Sequence, residues 1–234
     1  MTATTLPVLM IVTSHAQLGA TGKSTGLWAE ELTTPYYALV DAGYAVVLAS
    51  PLGGEPPFAP GSVKDHPEEG EASVARFLAD AHSMAQFKQT RKTADLNAAD
   101  FSAVFLPGGH GTMWDTATDS ATARLVGELF AAGKPVAAVC HGPAGLVQAR
   151  RPDGQSIVAG KRVNAFTNAE ETAAGWMEVV PFHLESKLRD LCGLFEAGPL
   201  WGAYAVRDGH LITGQNPASS ALVAQHLIDA LQGQ

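Results

Sequence analysis

Continuous apolar runs of strand length recur along the chain, each followed by glycine, proline or polar residues. In a sheet with one wet face apolar and polar side chains alternate, whereas these runs are apolar at nearly every position. We therefore expect central strands of a parallel sheet that is covered on both faces. The runs are Val8–Ser14, Tyr44–Pro51, Ala103–Pro107 and Pro135–Val139.

Segments in which apolar residues follow helical spacing lie between and after these runs. Their bounds are 35–43, which the stretch 27–32 leads into, 74–93, 120–132, 181–191 and 221–231. A further strand is expected at 162–167, and an Asp-Gly turn inside 204–214 predicts a β-hairpin. The alternation of strands and helices predicts a flavodoxin-like three-layer sandwich, an α/β fold in which helices cover both faces of a mostly parallel sheet.

Neither an internal repeat nor a linker divides the sequence. We therefore expect a single domain over residues 1–234, in which 51–95 form a loop and helix insertion near the functional site. The part at 51–75 holds several prolines and glycines, which is typical of a long loop that covers a site or forms a subunit contact.

Composition and charge narrow the function classes. The chain has a formal net charge of −8 and no cluster of lysine and arginine, which argues against nucleic-acid and anionic-membrane partners. Its start has no basic stretch and the first apolar run is short, so we expect neither a signal peptide nor a membrane span, and a cytoplasmic protein. The two cysteines, Cys140 and Cys192, lie in different contexts, and no disulfide is expected.

Cys140 stands where the run Pro135–Val139 ends, in the sequence Cys140-His141-Gly142. The apolar pattern resumes at Ala144, which predicts a strand, a tight turn and a helix, the layout of a nucleophile elbow with cysteine in place of serine. The N–H groups at the start of that helix favour the thiolate over the thiol. The alternative is that Cys140 is a small buried hydrophobic residue, as most free cysteines are.

Two other segments supply candidate groups for the same edge of the sheet. The run Ala103–Pro107 ends in Gly108-Gly109, where glycines let backbone N–H groups turn inward as oxyanion donors. Glu30 and Glu31 stand just before the first expected helix. Either a carboxylate there points into the cleft beside the thiol, or both are solvated first-turn acids that face the helix dipole.

Two further patterns are weak. The stretch 22–25, Gly-Lys-Ser-Thr, is similar to a phosphate-binding loop, but Gln17 stands where such a loop needs its first glycine, so nucleotide binding is not predicted. A metal site on His110, His141 and Glu30 is not predicted either, because no pair of these residues shows ligand spacing.

Several motifs together make the chain similar to a known family, and they cover nearly its whole length in the right order. The chain resembles the DJ-1/PfpI superfamily, which has a class I glutamine amidotransferase-like fold, and within it the Hsp31-like branch of glyoxalase III and chaperone proteins. The motifs are Gly22–Gly26 with Glu30, Pro107–Asp115, Ala138–Ala144, Ala165–Glu171 and Thr213–Ser219.

The resemblance implies a Cys–His–acid triad. Its members would be Cys140, His141 and a carboxylate that follows the strand at 162–167. The family pattern places this acid at Glu171, with Glu170 as the alternative.

The resemblance also implies the groups around the triad. Glu30 would lie close to the thiol, where it holds or exchanges a proton. The oxyanion donors would be the backbone amides of Gly109 and His141. His110 would either line the pocket or only complete the glycine turn.

The activity that the resemblance implies is a glutathione-independent glyoxalase. A thiolate at Cys140 would add to the aldehyde carbon of methylglyoxal or another small 2-oxoaldehyde, and a proton would move between the two carbons. Hydrolysis of the thioester would release a 2-hydroxy acid, D-lactate in the case of methylglyoxal. Such a D-lactate dehydratase, a lyase, needs no metal, glutathione or other cofactor, and the same thiolate would serve a protein deglycase.

Alternatives of other kinds remain open. One is a stress-related holding chaperone that binds unfolded client proteins, with Cys140 as an oxidisable redox sensor. Another is a cysteine peptidase or amidase, which is disfavoured because the acidic loop and the position of Glu30 predict a cramped pocket. A homodimer is expected from the resemblance alone.

Overall fold

A sheet of seven strands runs through the centre of the computed structural model, which describes residues 6–64 and 70–233. The order across this sheet is β3-β2-β1-β4-β5-β9-β8, where β8 and β9 form an antiparallel hairpin and the other neighbours are parallel. The strands β6 and β7 form a separate parallel pair. In chain order the strands are β1 (Val8–Ile11), β2 (Val46–Ser50), β3 (Arg91–Lys92), β4 (Ala103–Leu106), β5 (Val136–Val139), β6 (Arg162–Val163), β7 (Leu194–Phe195), β8 (Ala205–Asp208) and β9 (Leu211–Gly214).

Short helices surround the sheet, and the longest, with 13 residues, has between three and four turns. Short 3-10 helices follow β4 and β5, at His110–Met113 and Gly142–Leu146. Within the described ranges no helix has the length and the apolar character that crossing a membrane requires. The α-helices are α1 (Ala29–Asp41), α2 (Ala72–Ala79), α3 (Ala81–Lys88), α4 (Ser120–Ala131), α5 (Asn168–Ala174), α6 (Leu184–Leu191) and α7 (Ser220–Leu231).

The central strands bury both of their faces. In β1, Leu9 and Ile11 belong to one hydrophobic core and Val8 and Met10 to the other, and all four are fully buried. Apolar residues of α4 complete the first core, and those of α1 and α7 complete the second. The predicted three-layer α/β sandwich is confirmed, and burial on both sides explains why the strands are continuous apolar runs in the sequence.

Asp80 divides the helix expected at 74–93 into α2 and α3. Its backbone is extended, and its carboxylate accepts the N–H groups of His82 and Ser83, so it caps the start of a second helix. The loop expected at 51–75 lies partly outside the described residues, and α2 begins inside its predicted range.

The helix expected after Cys140 is only the short 3-10 helix Gly142–Leu146. Two glycines and a proline lie within these residues, and both residue types disfavour the α-helix. The elbow is therefore followed by a tight, fully buried segment instead of an α-helix, and the helix dipole available to the thiol is correspondingly small.

The strand expected at 162–167 pairs as a strand over only two residues, after which the chain crosses the carboxyl end of the sheet. The Asn164 N–H donates to Oγ1 of Thr213 at 2.9 Å, and the Phe166 N–H donates to the carbonyl oxygen of Cys140 at 2.9 Å. These bonds hold the start of α5 against the end of β5. The loops after β4 and β5 and the start of α5 therefore meet at one edge, where open α/β sheets bind their ligands.

Candidate active site

Cys140 follows β5 directly, with its backbone in the left-handed region at φ +60°. Such a conformation costs on the order of 1–3 kcal/mol in a residue other than glycine, and it persists where the surroundings enforce it. Here the Cys140 N–H donates to the carbonyl oxygen of Gly214 at 2.9 Å, which fixes the turn. The predicted nucleophile elbow is present, and its thiol is buried, with 3% of the residue exposed.

His141 and Glu171 continue a chain of polar contacts that starts at the Cys140 sulfur. The Sγ atom lies 3.3 Å from Nδ1 of His141, and Nε2 of the same ring lies 2.7 Å from Oε2 of Glu171. Glu171 lies in the first turn of α5, whose start is fixed by a capping box between Thr167 and Glu170. Of the two acids that the sequence left open, Glu171 is the one that reaches His141.

The charges of this chain follow from burial and hydrogen bonding. Burial and the neighbouring His110 lower the pKa of His141 to about 4, so its ring is neutral near pH 7. Burial raises the pKa of Glu171, but the hydrogen bonds of His110 and His141 outweigh it and bring the value to about 2. Because ionised Glu171 only accepts hydrogen bonds, the ring proton of His141 is assigned to Nε2. Nδ1 then presents a lone pair to the thiol, as a general base requires.

Glu31, and not Glu30, is the carboxyl group that contacts Cys140. Its Oε2 accepts the N–H of Gly108 at 2.8 Å, the Cys140 thiol hydrogen-bonds to it, and the residue is fully buried. Glu30 lines the same pocket and is half-buried. Successive residues of a helix point about 100° apart, so one member of the pair faces the elbow and the other does not. The expectation that Glu30 lies beside the thiol is therefore corrected to Glu31.

The contact between Glu31 and Cys140 controls where protons reside. Burial raises the pKa of Glu31 to about 8. Burial and the Glu31 charge raise the pKa of the Cys140 thiol well above its usual range. Oε1 of Glu31 is also buried, with no nitrogen or oxygen partner among the described residues, which a neutral carboxyl group tolerates better than a carboxylate. Near pH 7 the site thus holds a thiol, and not the thiolate expected from the sequence.

The raised pKa of Glu31 makes stability depend on pH. Unfolded, Glu31 loses its proton near the ordinary pKa of 4.5, whereas folded it keeps the proton up to about 8. Its contribution is therefore complete below pH 4.5 and is lost as the pH rises through 8. We expect the free energy of unfolding of the wild type to fall, relative to that of Glu31→Gln, by up to about 1.4 kcal/mol per pH unit in this window.

Urea unfolding of both proteins between pH 6.5 and 8 measures this difference. His141 has a lowered pKa and acts in the opposite sense, but only below its ordinary value of 6.5. Glu30 is present in both proteins, so its own shift cancels. Parallel stability curves for the two proteins would contradict a protonated, buried Glu31.

His110 shares Glu171 with His141. Its Nε2 lies 2.7 Å from Oε1 of Glu171, and the centroids of the two imidazole rings are 4.0 Å apart. Ligand atoms of the three residues all lie within 4.8 Å of one another, so this group offers the donors that a metal ion needs. The sequence analysis considered Glu30 as the third member of such a group, whereas the structure brings Glu171 to the two histidines. An ion would have to break both hydrogen bonds to Glu171, which makes the arrangement better suited to holding protons.

The loop after β4 brings two glycines against the elbow. A Cβ atom at Gly108 would lie 2.6 Å from the backbone nitrogen of His141, and one at Gly109 would collide with the carbonyl oxygen of Gly26. Gly109 also has φ +96°, which L side chains rarely adopt. Gly109 and His141 both line the pocket, and the His141 N–H hydrogen-bonds to the Cys140 sulfur.

The thiol faces a pocket of about 920 Å³. Its walls include Trp28, Trp176 and Trp201, and its polar residues include Glu30 and Glu71. Burial, with the charge of Glu71 adding to it, raises the pKa of Glu30 to about 7. The cramped pocket expected from the sequence is wrong, because a volume of this size is typical of sites for ligands much larger than methylglyoxal.

The chain matches a known protein family over most of its length. A model described as the DJ-1/PfpI family matches residues 25–230. The chain belongs to the DJ-1/PfpI family. The resemblance seen in the sequence motifs is therefore confirmed over most of the chain.

Relatives of this DJ-1/PfpI protein include proteins named as glyoxalases. The chain is 29% identical to glutathione-independent glyoxalase HSP31 of Saccharomyces cerevisiae, over 96% of this chain and 98% of that protein. It is 34% identical to Rapid Encystment Protein 24 kDa of Francisella tularensis. The X-ray structure of that protein matches with a TM-score of 0.91, over 97% of this chain and 99% of that chain. It is 26% identical to the crystal structure of glyoxalase III from Candida albicans, with a TM-score of 0.87 and 96% and 97% covered.

Helix register carries the signal that distinguishes Glu31 from Glu30 in this DJ-1/PfpI sequence. Glu31 precedes Pro35 by four residues and Leu39 by eight, and all three are buried on one face of α1. Glu30 shares its face with Thr34, which is only half-buried. Placing the apolar stripe of α1 before choosing the acid would have selected Glu31.

Proposed function

We propose that this protein is a glutathione-independent glyoxalase that converts 2-oxoaldehydes to 2-hydroxy acids. One observation carries this function: the Cys140 thiol contacts both Nδ1 of a neutral His141 and the buried carboxyl group of Glu31. Similarity over nearly the whole chain to proteins named as glyoxalases supports the same activity.

In the first step the thiol adds to the aldehyde carbon. The S–C bond forms while the thiol proton moves to Nδ1 of His141 and the carbonyl electron pair moves to oxygen. Ionised Glu171, 2.7 Å from Nε2, stabilises the imidazolium that results. We assign the N–H groups of Gly109 and His141 as donors to the oxygen of the hemithioacetal.

In the second step a proton leaves the former aldehyde carbon and reaches the neighbouring ketone carbon through an enediol. We assign this transfer to Glu31, because its carboxyl group contacts the sulfur that carries the reacting carbon and is shielded from water. The imidazolium of His141 returns its proton to the hemithioacetal oxygen, and Glu31 gives its own proton to the ketone oxygen, so that the resulting carboxylate takes the proton of the former aldehyde carbon. Glu31 then delivers that proton to the former ketone carbon and regains one from the hydroxyl group on the carbon that carries the sulfur. The ketone becomes an alcohol and the hemithioacetal becomes a thioester, so the oxidation and reduction balance within the substrate. Water then cleaves the thioester, which releases the 2-hydroxy acid and restores the thiol.

These roles predict that methylglyoxal yields D-lactate in a buffer that contains EDTA and no glutathione. Thiol, imidazole and carboxyl groups supply the nucleophile, the base and the proton transfer, so removal of metal ions should leave the rate unchanged. The measurement is a D-lactate-specific assay with protein dialysed against EDTA.

Two results would contradict the proposed reaction. Failure to form D-lactate from methylglyoxal would exclude the lyase activity. A rate that falls on dialysis and returns with Zn²⁺ would instead indicate an ion held by His110, His141 and Glu171, the group whose ligand atoms lie together.

The assembly and the clients of the protein belong to the same proposal. We expect a homodimer, which size-exclusion chromatography with light scattering would measure. Leu200 and Trp201 form an adjacent exposed pair that offers an apolar contact to unfolded chains. Because Cys140 is buried and contributes nothing to this exposed pair, Cys140→Ala should keep any ability to prevent aggregation of a heat-labile reporter protein while losing turnover.

A further inference from the structure

The pocket is far larger than a three-carbon aldehyde requires. Its volume of about 920 Å³ lies in the range of roughly 300–1,000 Å³ that is typical of sites enclosing drug-sized ligands. Methylglyoxal would fill a small part of this space beside Cys140. The remaining volume is available to the group that the 2-oxoaldehyde carries on its ketone carbon.

An aromatic wall extends from the triad into this remaining space. The ring of Phe166 lies 4.4 Å from that of His141, and the ring of Trp201 lies 5.6 Å from Phe166 in an edge-to-face arrangement, measured between centroids. All three residues line the pocket. Aromatic faces and edges at these spacings are the partners that another aromatic ring prefers.

The backbone of Trp201, which lies in this wall, is strained. Trp201 is one of the two non-glycine residues with positive φ among those described, at φ +60°, the other being Cys140. Its side chain stays in the wall although 47% of the residue is exposed. Strained backbone positions of this kind cluster at active sites and in segments that hold ligands.

A buried carboxylate, Glu170, fixes the backbone of Trp201. Oε1 of Glu170 accepts the Trp201 N–H at 2.9 Å, and also accepts from Nε2 of Gln215 at 3.0 Å and Nδ2 of Asn216 at 2.8 Å. Oε2 accepts from the N–H and the hydroxyl of Thr167. Glu170 therefore ties the loop of Trp201 to the start of α5, next to the triad acid Glu171.

We propose that Trp201 determines specificity by making the enzyme prefer aryl 2-oxoaldehydes, such as phenylglyoxal, over methylglyoxal, with Glu170 as the residue that positions it. The inference rests on the proposed glyoxalase function. The bonds that form and break are those of the methylglyoxal reaction, so phenylglyoxal and water give mandelate. The phenyl ring occupies the pocket space beside Phe166 and Trp201, against the aromatic wall that this contacting pair forms.

Steady-state kinetics with both aldehydes test the role of Trp201. We expect the wild type to have the higher kcat/KM for phenylglyoxal, and Trp201→Ala to lose about tenfold of it while its kcat/KM for methylglyoxal stays within about twofold. Trp201→Phe should keep most of the preference. Leu200→Ala, which changes the adjacent exposed side chain outside the pocket lining, should behave as the wild type.

The positioning role of Glu170 has its own measurement. Glu170→Gln should raise KM for phenylglyoxal and leave kcat and KM for methylglyoxal nearly unchanged. A glutamine whose amide oxygen still accepts from Thr167 keeps the capping box of α5, whereas its amide NH₂ group faces the Trp201 N–H donor and displaces the Trp201 loop. A loss of kcat for both aldehydes would overturn this role. If Glu170→Gln does not fold, the Trp201 variants still decide the aryl preference.

Binding of unreactive analogues separates this inference from the proposed function. Calorimetry compares 2-hydroxyacetophenone with hydroxyacetone, which carry the phenyl and methyl groups but no aldehyde. We expect tighter binding of the phenyl compound to the wild type, and about tenfold weaker binding to Trp201→Ala. Absence of turnover of both aldehydes would overturn the glyoxalase function only, whereas equal binding of the two analogues, or equal loss of both activities in Trp201→Ala, would overturn the aryl preference.

Discussion

Replacing Cys140 with alanine should abolish the conversion of methylglyoxal to D-lactate, with a fall in kcat/KM of about 10⁴-fold or more. The hemithioacetal and the thioester are both bound to its sulfur, so no step of the proposed reaction proceeds without it. Alanine lacks only the sulfur atom of cysteine, and the elbow is fixed by the backbone hydrogen bond to Gly214, so the variant should keep the fold. The measurement is the rate of D-lactate formation, with circular dichroism to verify the fold.

Cys192 provides the matched control for this variant. It is half-buried at the end of α6 and is not among the residues that line the pocket. Cys192→Ala should therefore keep the wild-type rate. Substantial D-lactate formation by Cys140→Ala would contradict covalent catalysis at the elbow.

Replacing Glu31 with glutamine should lower kcat for methylglyoxal by about 10²–10⁴-fold, the usual contribution of general acid–base catalysis. Glutamine keeps the size of the side chain and an oxygen to accept the Gly108 N–H, but it cannot take up and release a proton. Hemithioacetal formation through His141 remains possible in this variant. We therefore expect the covalent adduct to accumulate, which mass spectrometry after rapid quenching would detect.

Glu30→Gln is the corresponding control, since both acids line the pocket but only Glu31 contacts the thiol. We expect it to change kcat by less than about threefold, because a half-exposed carboxyl group there is not in the path of the proton. An effect of Glu30→Gln as large as that of Glu31→Gln would indicate that Glu30 takes part in the proton transfer.

The sequence predicted the sheet well because its central strands are buried on both faces. Val8–Ile11 and Val136–Val139 are apolar at every position, and no other element of that length and composition competes with a strand. The hairpin β8–β9 was equally clear from its Asp-Gly turn. By contrast, the short segment after Cys140 has a buried apolar pattern that does not distinguish an α-helix from a 3-10 helix.

The triad and its neighbours were predictable only in part. Motif order placed Cys140, His141 and Glu171 in one region, but the choice between Glu30 and Glu31 depends on the rotation of α1, which a one-residue error reverses. The place of Trp201 in the pocket wall depends on the hydrogen bond from its N–H to Glu170. Such contacts join residues far apart in the chain, and a local pattern does not contain them.

Cys140 and His141 are consecutive residues, so the distance between nucleophile and base is set by a single peptide unit and two side-chain rotamers. Small motions of the sheet therefore move both residues together and do not separate the thiol from the imidazole. The acid differs, because Glu171 arrives on a separate seven-residue helix. We therefore expect any loosening of the site to separate Glu171 from the imidazole before it separates the thiol from its base.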